Sequence, residues 1–204
     1  MELSLVKGFH HHWIFQRRVE VLSSLLAEMV PPGSSVLDVG CGDGNIGRLI
    51  REKQPGITVH GLEVMARPTC EIEYSLFDGT RLPYQDNSFD VCLFVDVLHH
   101  SDDPALLLRE AARVSRRYVL LKDHLSENAI DFATLSIMDW VGNRPHGVRS
   151  INNYKSRREW DALFAGAGLE LRAWKDSISL QPFPISAIFS RRLHCLALLA
   201  KTIA

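Results

Sequence analysis

Charge of one sign, a cysteine framework and a long apolar run are all missing from this chain, and each absence narrows what it can be. Lys and Arg total 23 against 24 Asp and Glu, a formal net charge of -1. With neither sign in excess, composition directs the chain to neither nucleic acid nor an anionic membrane. The four cysteines, Cys41, Cys70, Cys92 and Cys195, are scattered and form no C-x-x-C pair. Free thiols in a reducing cytosol are therefore expected, not disulfides. No stretch reaches the roughly 18 uncharged apolar residues of a membrane span. The opening MELSLVKGFHHHW lacks the basic segment, apolar run and cleavage site of a signal peptide, so a cytoplasmic location is expected. His10, His11 and His12 are only three in a row with no tag linker, and no metal site is expected. Repeats and low-complexity segments are also lacking. What the chain does have is core material: 46% of its 204 residues are hydrophobic, ample for one domain spanning 1–204.

Apolar runs and helical patterns alternate along the chain. Ile14 to Val30 carries apolar residues at helical spacing and stops at PPGS. Val36–Val39 reads as a strand, Asn45–Lys53 as a helix, Thr58–Glu63 and Ile72–Phe77 as strands. VCLFV, Val91–Val95, is a continuous apolar run, as in a strand buried on both faces. Asp103-Pro104 pairs an N-cap with proline at the first helical position, opening a helix that leads to a fifth strand, Tyr118–Leu121. Then Ala129–Val141 reads as a helix, and Asn143–Asn153 as a loop. Ser156 and Glu159 stand at capping-box spacing. GAGLELRAW ends that helix and begins a strand, and Leu193–Leu199 makes the last one. This alternation predicts a doubly wound α/β sheet covered on both faces. One joint is short: only eight residues, Pro68 among them, separate Glu63 from Ile72, fewer than a parallel crossover normally needs.

VLDVGCGDG, Val36 to Gly44, joins the first strand to its helix. Glycines there allow positive φ and close approach of a ligand. The helix N-terminus favours electron-rich partners, at the sheet's carboxyl edge where open α/β sheets bind ligands. Gly42, Gly44 and Gly47 satisfy G-x-G-x-x-G, with Glu63 about twenty residues on. The register is wrong for a dinucleotide, because the glycine next to the strand is Gly40. Asp38 and Asp43 would also repel a pyrophosphate, whereas a ligand carrying ammonium and sulfonium groups would accept them.

With these residues in hand, the segment resembles the first motif of the class I S-adenosylmethionine (SAM)-dependent methyltransferases, of the small-molecule, ubiquinone/menaquinone-biosynthesis-like type. VHGLEV, ending on Glu63, and FDGTRLPYQDNSFDVCLFVDVLHHSDDP, from Phe77 to Pro104, continue the likeness at the family's spacings. It covers roughly Val30 to Asp123. It implies a seven-stranded, mostly parallel Rossmann-like sheet with an antiparallel last strand. It further implies a helical cover at 1–30, a substrate-side insertion at 125–155, SAM as cofactor and S-adenosylhomocysteine as product. Carried over position by position, Asp38 would meet the amino group, and Gly40, Cys41 and Gly42 would press backbone on the methionine part. Glu63, with Val64 after it, would hold the ribose hydroxyls. Asp78 and Gly79 would read adenine, between Met65 and Phe77 or Leu82. Asp96 and Val97 would lie near the transferred methyl. Cys41 reads as a packing residue, not a nucleophile.

The implied reaction is an in-line displacement in which the protein positions the acceptor and excludes water. A base for the acceptor would be histidine, and His100 and His124, at the predicted sheet edge, are the candidates; His146 is a third. Phe132, Leu135, Met138 and Trp140 point to an apolar lid over a small, partly apolar metabolite. Arg144, Arg149, Lys155, Arg157 and Arg158 read as a solvated face or a contact for an acidic substrate group. Phe183, Ile185, Ile188, Phe189, Arg191 and Arg192 allow a weak membrane-surface contact. Two alternatives stay open at this point: an NAD(P)-dependent oxidoreductase using the shifted glycines, and a SAM-binding protein without turnover.

Overall fold

A computed structural model of the chain describes residues 2–143, 151–178, 180 and 192–202, and at 2–15 and 141–143 the backbone alone. A seven-stranded sheet in the order β3-β2-β1-β4-β5-β7-β6 forms the centre. Its strands are β1 Ser35–Val39, β2 Thr58–Glu63, β3 Tyr74–Leu76, β4 Phe89–Val95, β5 Ser115–His124, β6 Leu169–Lys175 and β7 His194–Lys201. β7 runs antiparallel to both β5 and β6; β1 to β5 pair in parallel. The expected sheet, with its antiparallel last strand, is the one observed.

Side-chain alternation explains why the strands read as unbroken apolar runs. In β4, Val91 and Leu93 face one core with Leu22, Leu26 and Ile50, while Cys92 and Phe94 face another with Leu107, Leu108, Trp160 and Phe164. The first core lies under helices α1 (Glu2–Met29) and α2 (Asn45–Lys53), the second under α3 (Pro104–Val114) and α5 (Arg157–Gly166). A strand buried on both faces has no reason to alternate with polar residues.

Local chemistry sets the helix ends. Asp103 caps α3, its carboxylate accepting from the Leu106 N–H at 2.9 Å, with Pro104 in the first turn. Ser156 and Glu159 form the expected capping box on α5. Strand ends moved more. β5 reaches His124, three residues past the apolar run, and β3 shrinks to three residues. The crossover from β2 to β3, residues 64–73, contains no helix, so the short joint is real. Val64, Met65 and Leu76 are accordingly left exposed on that edge.

α4 (Ala129–Asn143) lies beyond β5. Its inward residues, four apart, are Asp131, Leu135 and Asp139, all buried. Leu135 packs with Tyr154, Leu193 and Met138. Phe132 and Trp140, expected to line a lid, are exposed, as are Ile130 and Ile137. No helix among the described residues is long and apolar enough to cross a membrane. Residues His10 to His12 carry no described side chains, and Arg144, His146, Arg149, Phe183, Ile185, Ile188, Phe189 and Arg191 lie outside the described residues. Of the other cations singled out, Arg157 pairs with Asp161 and lies over the Trp174 ring at 4.1 Å, and Lys155 bonds Asn153.

Candidate active site

The sheet order reverses between β1 and β4, and such a switch point opens a crevice at the strands' carboxyl ends. A cavity of about 480 Å³ lies there, lined by Gly40, Glu63, Val64, Met65, Arg67, Phe77, Asp78, Gly79, Asp96, Val97 and His100 among others. The volume suits a small ligand.

The loop after β1 forms its floor. Gly40 has φ 73°, a conformation that costs other residues free energy. Its N–H donates to the Leu62 carbonyl at 2.7 Å, tying the loop to the end of β2. A Cβ on Gly40 would stand 2.5 Å from Cγ2 of Val97, so the bare α-carbon lets the ends of β1 and β4 close together. Gly40→Ala is expected to lower stability by about 1–3 kcal/mol. Adding Val97→Ala should return only the steric part, leaving the φ strain. Urea unfolding of these two variants and of Val97→Ala alone checks this.

Glu63, 3% exposed, is the clasp between the loop and β2. Oε2 accepts from the Gly42 N–H at 3.0 Å and from Arg67 at 2.8 Å, and Oε1 from the Val64 N–H at 2.8 Å. Asp78 is exposed to solvent and takes three hydrogen bonds on Oδ1, from the Thr80 N–H and hydroxyl and the Arg81 N–H. These hold its carboxyl below the usual range and leave Oδ2 uncommitted to the turn. Gly79 follows at φ 83°.

Asp96 follows β4 with φ 57°, a left-handed backbone that Asp tolerates better than most residues. Its carboxylate pairs with Lys122 and Arg18. Burial opposes its charge, but Lys122 and then Arg18 outweigh that and hold the acid well below its ordinary range. Asp38 and Cys41 do not line the cavity. Asp38, 2% exposed, sits beneath the loop near Gly47. Burial first, then the charges of Glu63 and Asp43, push its pKa up to about 7. The Cys41 sulfur packs toward Gly61 of β2, and burial raises its thiol. Leu82 is buried in the core, leaving Met65 and Phe77 as the cavity's flanking side chains.

The two candidate bases separate. His100 lines the cavity; burial, then neighbouring His99, lower its pKa, so it is neutral near pH 7. His124 lies behind the wall. Its Nδ1 is 3.1 Å from Nδ1 of His194 and its Nε2 is 3.9 Å from Asp96. Burial holds its pKa well below normal.

A buried polar nest around His124 is the largest feature absent from the sequence-based reading. His99 Nδ1 meets Asp123 Oδ1 at 2.6 Å, and its Nε2 stands 3.7 Å from Asp139 Oδ1. Burial alone would lower the His99 pKa, but Asp123 and then Asp139 raise it to about 10. Lys122, Asp123 and His124 follow the apolar YVLL directly. Three polar residues at the carboxyl end of a parallel strand were the available signal. Arg18, Asp139 and His194 come from distant elements and gave none.

Glu63, Asp78, Asp96, Asp102 and Asp103 ring the cavity, and Arg67 is the one permanent cation among the described residues lining it. A ligand bearing ammonium and sulfonium charge fits this acidic ring, with Asp38 beneath; a pyrophosphate does not. The dinucleotide alternative is thereby set aside.

Comparison with known proteins agrees. A family profile described as a methyltransferase domain matches residues 11–173. An uncharacterized methyltransferase of Mycobacterium sp. (strain KMS) is 36% identical over 173 residues, covering 72% of this chain and 63% of that protein. The 2-methyl-6-phytyl-1,4-hydroquinone methyltransferase of a Synechocystis strain is 32% identical over 97 residues, 43% of this chain and 30% of that protein. The chain thus spans less than two thirds of the length of either relative. Among solved structures, an S-adenosylmethionine-dependent methyltransferase from Mesorhizobium loti superposes with a TM-score of 0.64 at 18% identity, over 87% of this chain and 96% of that one; at that identity the likeness concerns the fold. With the profile matched over most of its length, this strand order and this ring of acids at the sheet edge, the chain belongs to the class I SAM-dependent methyltransferases.

Proposed function

We propose that this chain binds SAM in the cavity between the ends of β1 and β4 and transfers its methyl group to a small, partly apolar metabolite. The observation that carries the reading is the convergence of Gly40, Glu63, Asp78-Gly79 and Asp96-Val97, from the ends of β1, β2, β3 and β4, on one cavity. When bound, the cofactor supplies a methyl group already activated by a sulfonium, so the protein's task is placement.

Gly40, Cys41 and Gly42 offer backbone to the methionine part, above Asp38, which meets the ammonium group directly or through water. Glu63, ending β2, presents a buried carboxylate to the ribose diol, displacing the Arg67 guanidinium in the process. Asp78 accepts from the adenine amino group, Gly79 leaves its N–H for a ring nitrogen, and Val64, Met65 and Phe77 flank the ring. Asp96, held ionised by Lys122 and Arg18, places negative charge by the methyl-bearing end. His100 bounds the acceptor side of the cavity, and His124 supports the wall from behind. The α1 and α4 segments cover the opening, α1 through Arg18. The hydroquinone named for the Synechocystis relative supports an acceptor with an apolar part.

Calorimetric titration with S-adenosylhomocysteine is expected to show one site, and Glu63→Gln to weaken it about 10- to 100-fold, the worth of one or two hydrogen bonds to a charged group. No binding to the wild-type chain at millimolar ligand would end this reading. Labelled-methyl transfer into a metabolite extract then separates an enzyme from a binder without turnover.

A further inference from the structure

We propose that His99, His100 and Asp139 form a site for one divalent transition-metal ion of the zinc type, which fastens α4 to the edge of the sheet. The three side chains come from the 3-10 turn Leu98–His100 and from α4. Each offers a donor atom within 4.8 Å of the other two. His99 Nε2, His100 Nδ1 and Asp139 Oδ2 are all sealed from solvent and lack a hydrogen-bond partner. His99 is 1% and Asp139 8% exposed. Buried polar atoms without partners are uncommon and costly, and three of them on residues whose donor atoms gather within 4.8 Å call for a shared partner. The His99–Asp139 gap of 3.7 Å is too long for a hydrogen bond. It is close to the roughly 3.3 Å between ligands of a tetrahedral zinc ion with bonds near 2.0 Å.

The surroundings are arranged for a metal. Asp123 Oδ1 at 2.6 Å from His99 Nδ1 keeps a ring proton on that side, and the second proton that Asp123 and Asp139 favour without an ion leaves Nε2 as the ion binds there, the carboxylate–histidine arrangement common behind metal ligands. Asp123 is itself anchored by the Leu98 and His124 N–H groups at 2.9 and 2.7 Å. Two imidazoles with one carboxylate select zinc, cobalt, nickel or ferrous iron over magnesium or calcium. The neighbouring set Asp96, His99 and His124 also has the spacing. Its Asp96, however, already holds Lys122 and Arg18, whose charges would repel a second cation. α4 packs on the body through the cluster of Leu135, Tyr154, Leu193 and Met138, and a bond from Asp139 to the sheet-edge turn would order the cavity's cover.

Cobalt(II) titration of the full chain, without an affinity tag, tests this. The background is His10→Ala/His11→Ala/His12→Ala, which removes the histidine run as a competing ligand. One equivalent of cobalt should bind with the visible bands of a four- or five-coordinate ion and no sulfur charge-transfer band. Zinc should displace it and raise the melting temperature. His100→Gln and Asp139→Asn, each checked for folding by circular dichroism, should each weaken binding more than about 100-fold, and Asp123→Asn about 10- to 100-fold. Lack of stoichiometric cobalt binding in the triple-alanine background would overturn the site, whatever the variants do. A sulfur charge-transfer band would equally overturn it, placing the metal on Cys41 and Cys70. So would binding that survives both folded variants. None of these readouts depends on methyl transfer or on SAM.

Discussion

Lys122→Met is expected to lower the unfolding free energy by about 3 kcal/mol, the lower end of the cost of breaking a buried ion pair, because Asp96 keeps Arg18. Lys122 is fully buried in the sheet, and its ammonium pairs with Asp96 and lies 3.4 Å from His194 Nδ1. Burial lowers its pKa, and Asp96 is the largest influence acting the other way. Removing the lysine leaves Asp96 with Arg18 alone, which reaches it from the partly exposed side. Asp96→Asn should also destabilise, by stranding Lys122 in the core. Asparagine tolerates the left-handed backbone at position 96, so the loss reports on charge and not on strain. The double variant Asp96→Asn/Lys122→Met buries no unpaired charge and should recover much of what either single change loses. A coupling above about 1 kcal/mol in urea unfolding at pH 7 is the expected result. Additive losses would mean that the two charges do not depend on each other.

That pair also shows where the sequence was legible and where it was not. Helix α2, strand β2 and the caps at Asp103 and Ser156 depend on neighbours within a few residues, and their ends fell where spacing put them. The cavity-lining acids follow from the same logic: in a parallel sheet the residue after an apolar run lies at the carboxyl edge, so Glu63, Asp78 and Asp96 could be placed by counting. The end of β5 could not. An apolar run ends where polarity begins, yet β5 continues through Lys122, Asp123 and His124 because β7 pairs with all three, His124 opposite His194. Burial of those groups is set by partners 15 to 72 residues away along the chain, such as Asp139 and His194, and no local pattern records it. Helix α4 misleads for a related reason. Its apolar residues outnumber what its neighbours can cover, so Phe132 and Trp140 face outward while two aspartates face in.

Asp38→Asn should raise stability at pH 8 and weaken the ligand at the same time. The folded chain holds the Asp38 proton up to a pKa of about 7, whereas an unfolded chain releases it near the ordinary aspartate value of about 3.9. Below pH 4 both states are protonated, and stability is at its full value. As pH rises through this window the unfolded state sheds the proton first and is lowered in free energy. Stability therefore falls until the folded state also ionises, and is level above about pH 7. A difference of about 3 units corresponds to about 4 kcal/mol. Asparagine keeps the shape and has no proton to lose. Its variant should match the wild type at pH 4 and exceed it by up to about 4 kcal/mol at pH 8, with a correspondingly flatter pH profile in urea unfolding. The wild-type carboxylate carries this cost because an ammonium group above it would repay the charge. Accordingly S-adenosylhomocysteine should bind the asparagine variant about 10- to 100-fold more weakly, and binding to the wild type should move the Asp38 titration downward. If the variant gains stability but keeps its affinity, Asp38 is an anchor of the glycine loop and the ammonium group is held elsewhere. If the pH profile does not flatten, the buried charge is compensated in the folded chain and the cost assigned to it is not there.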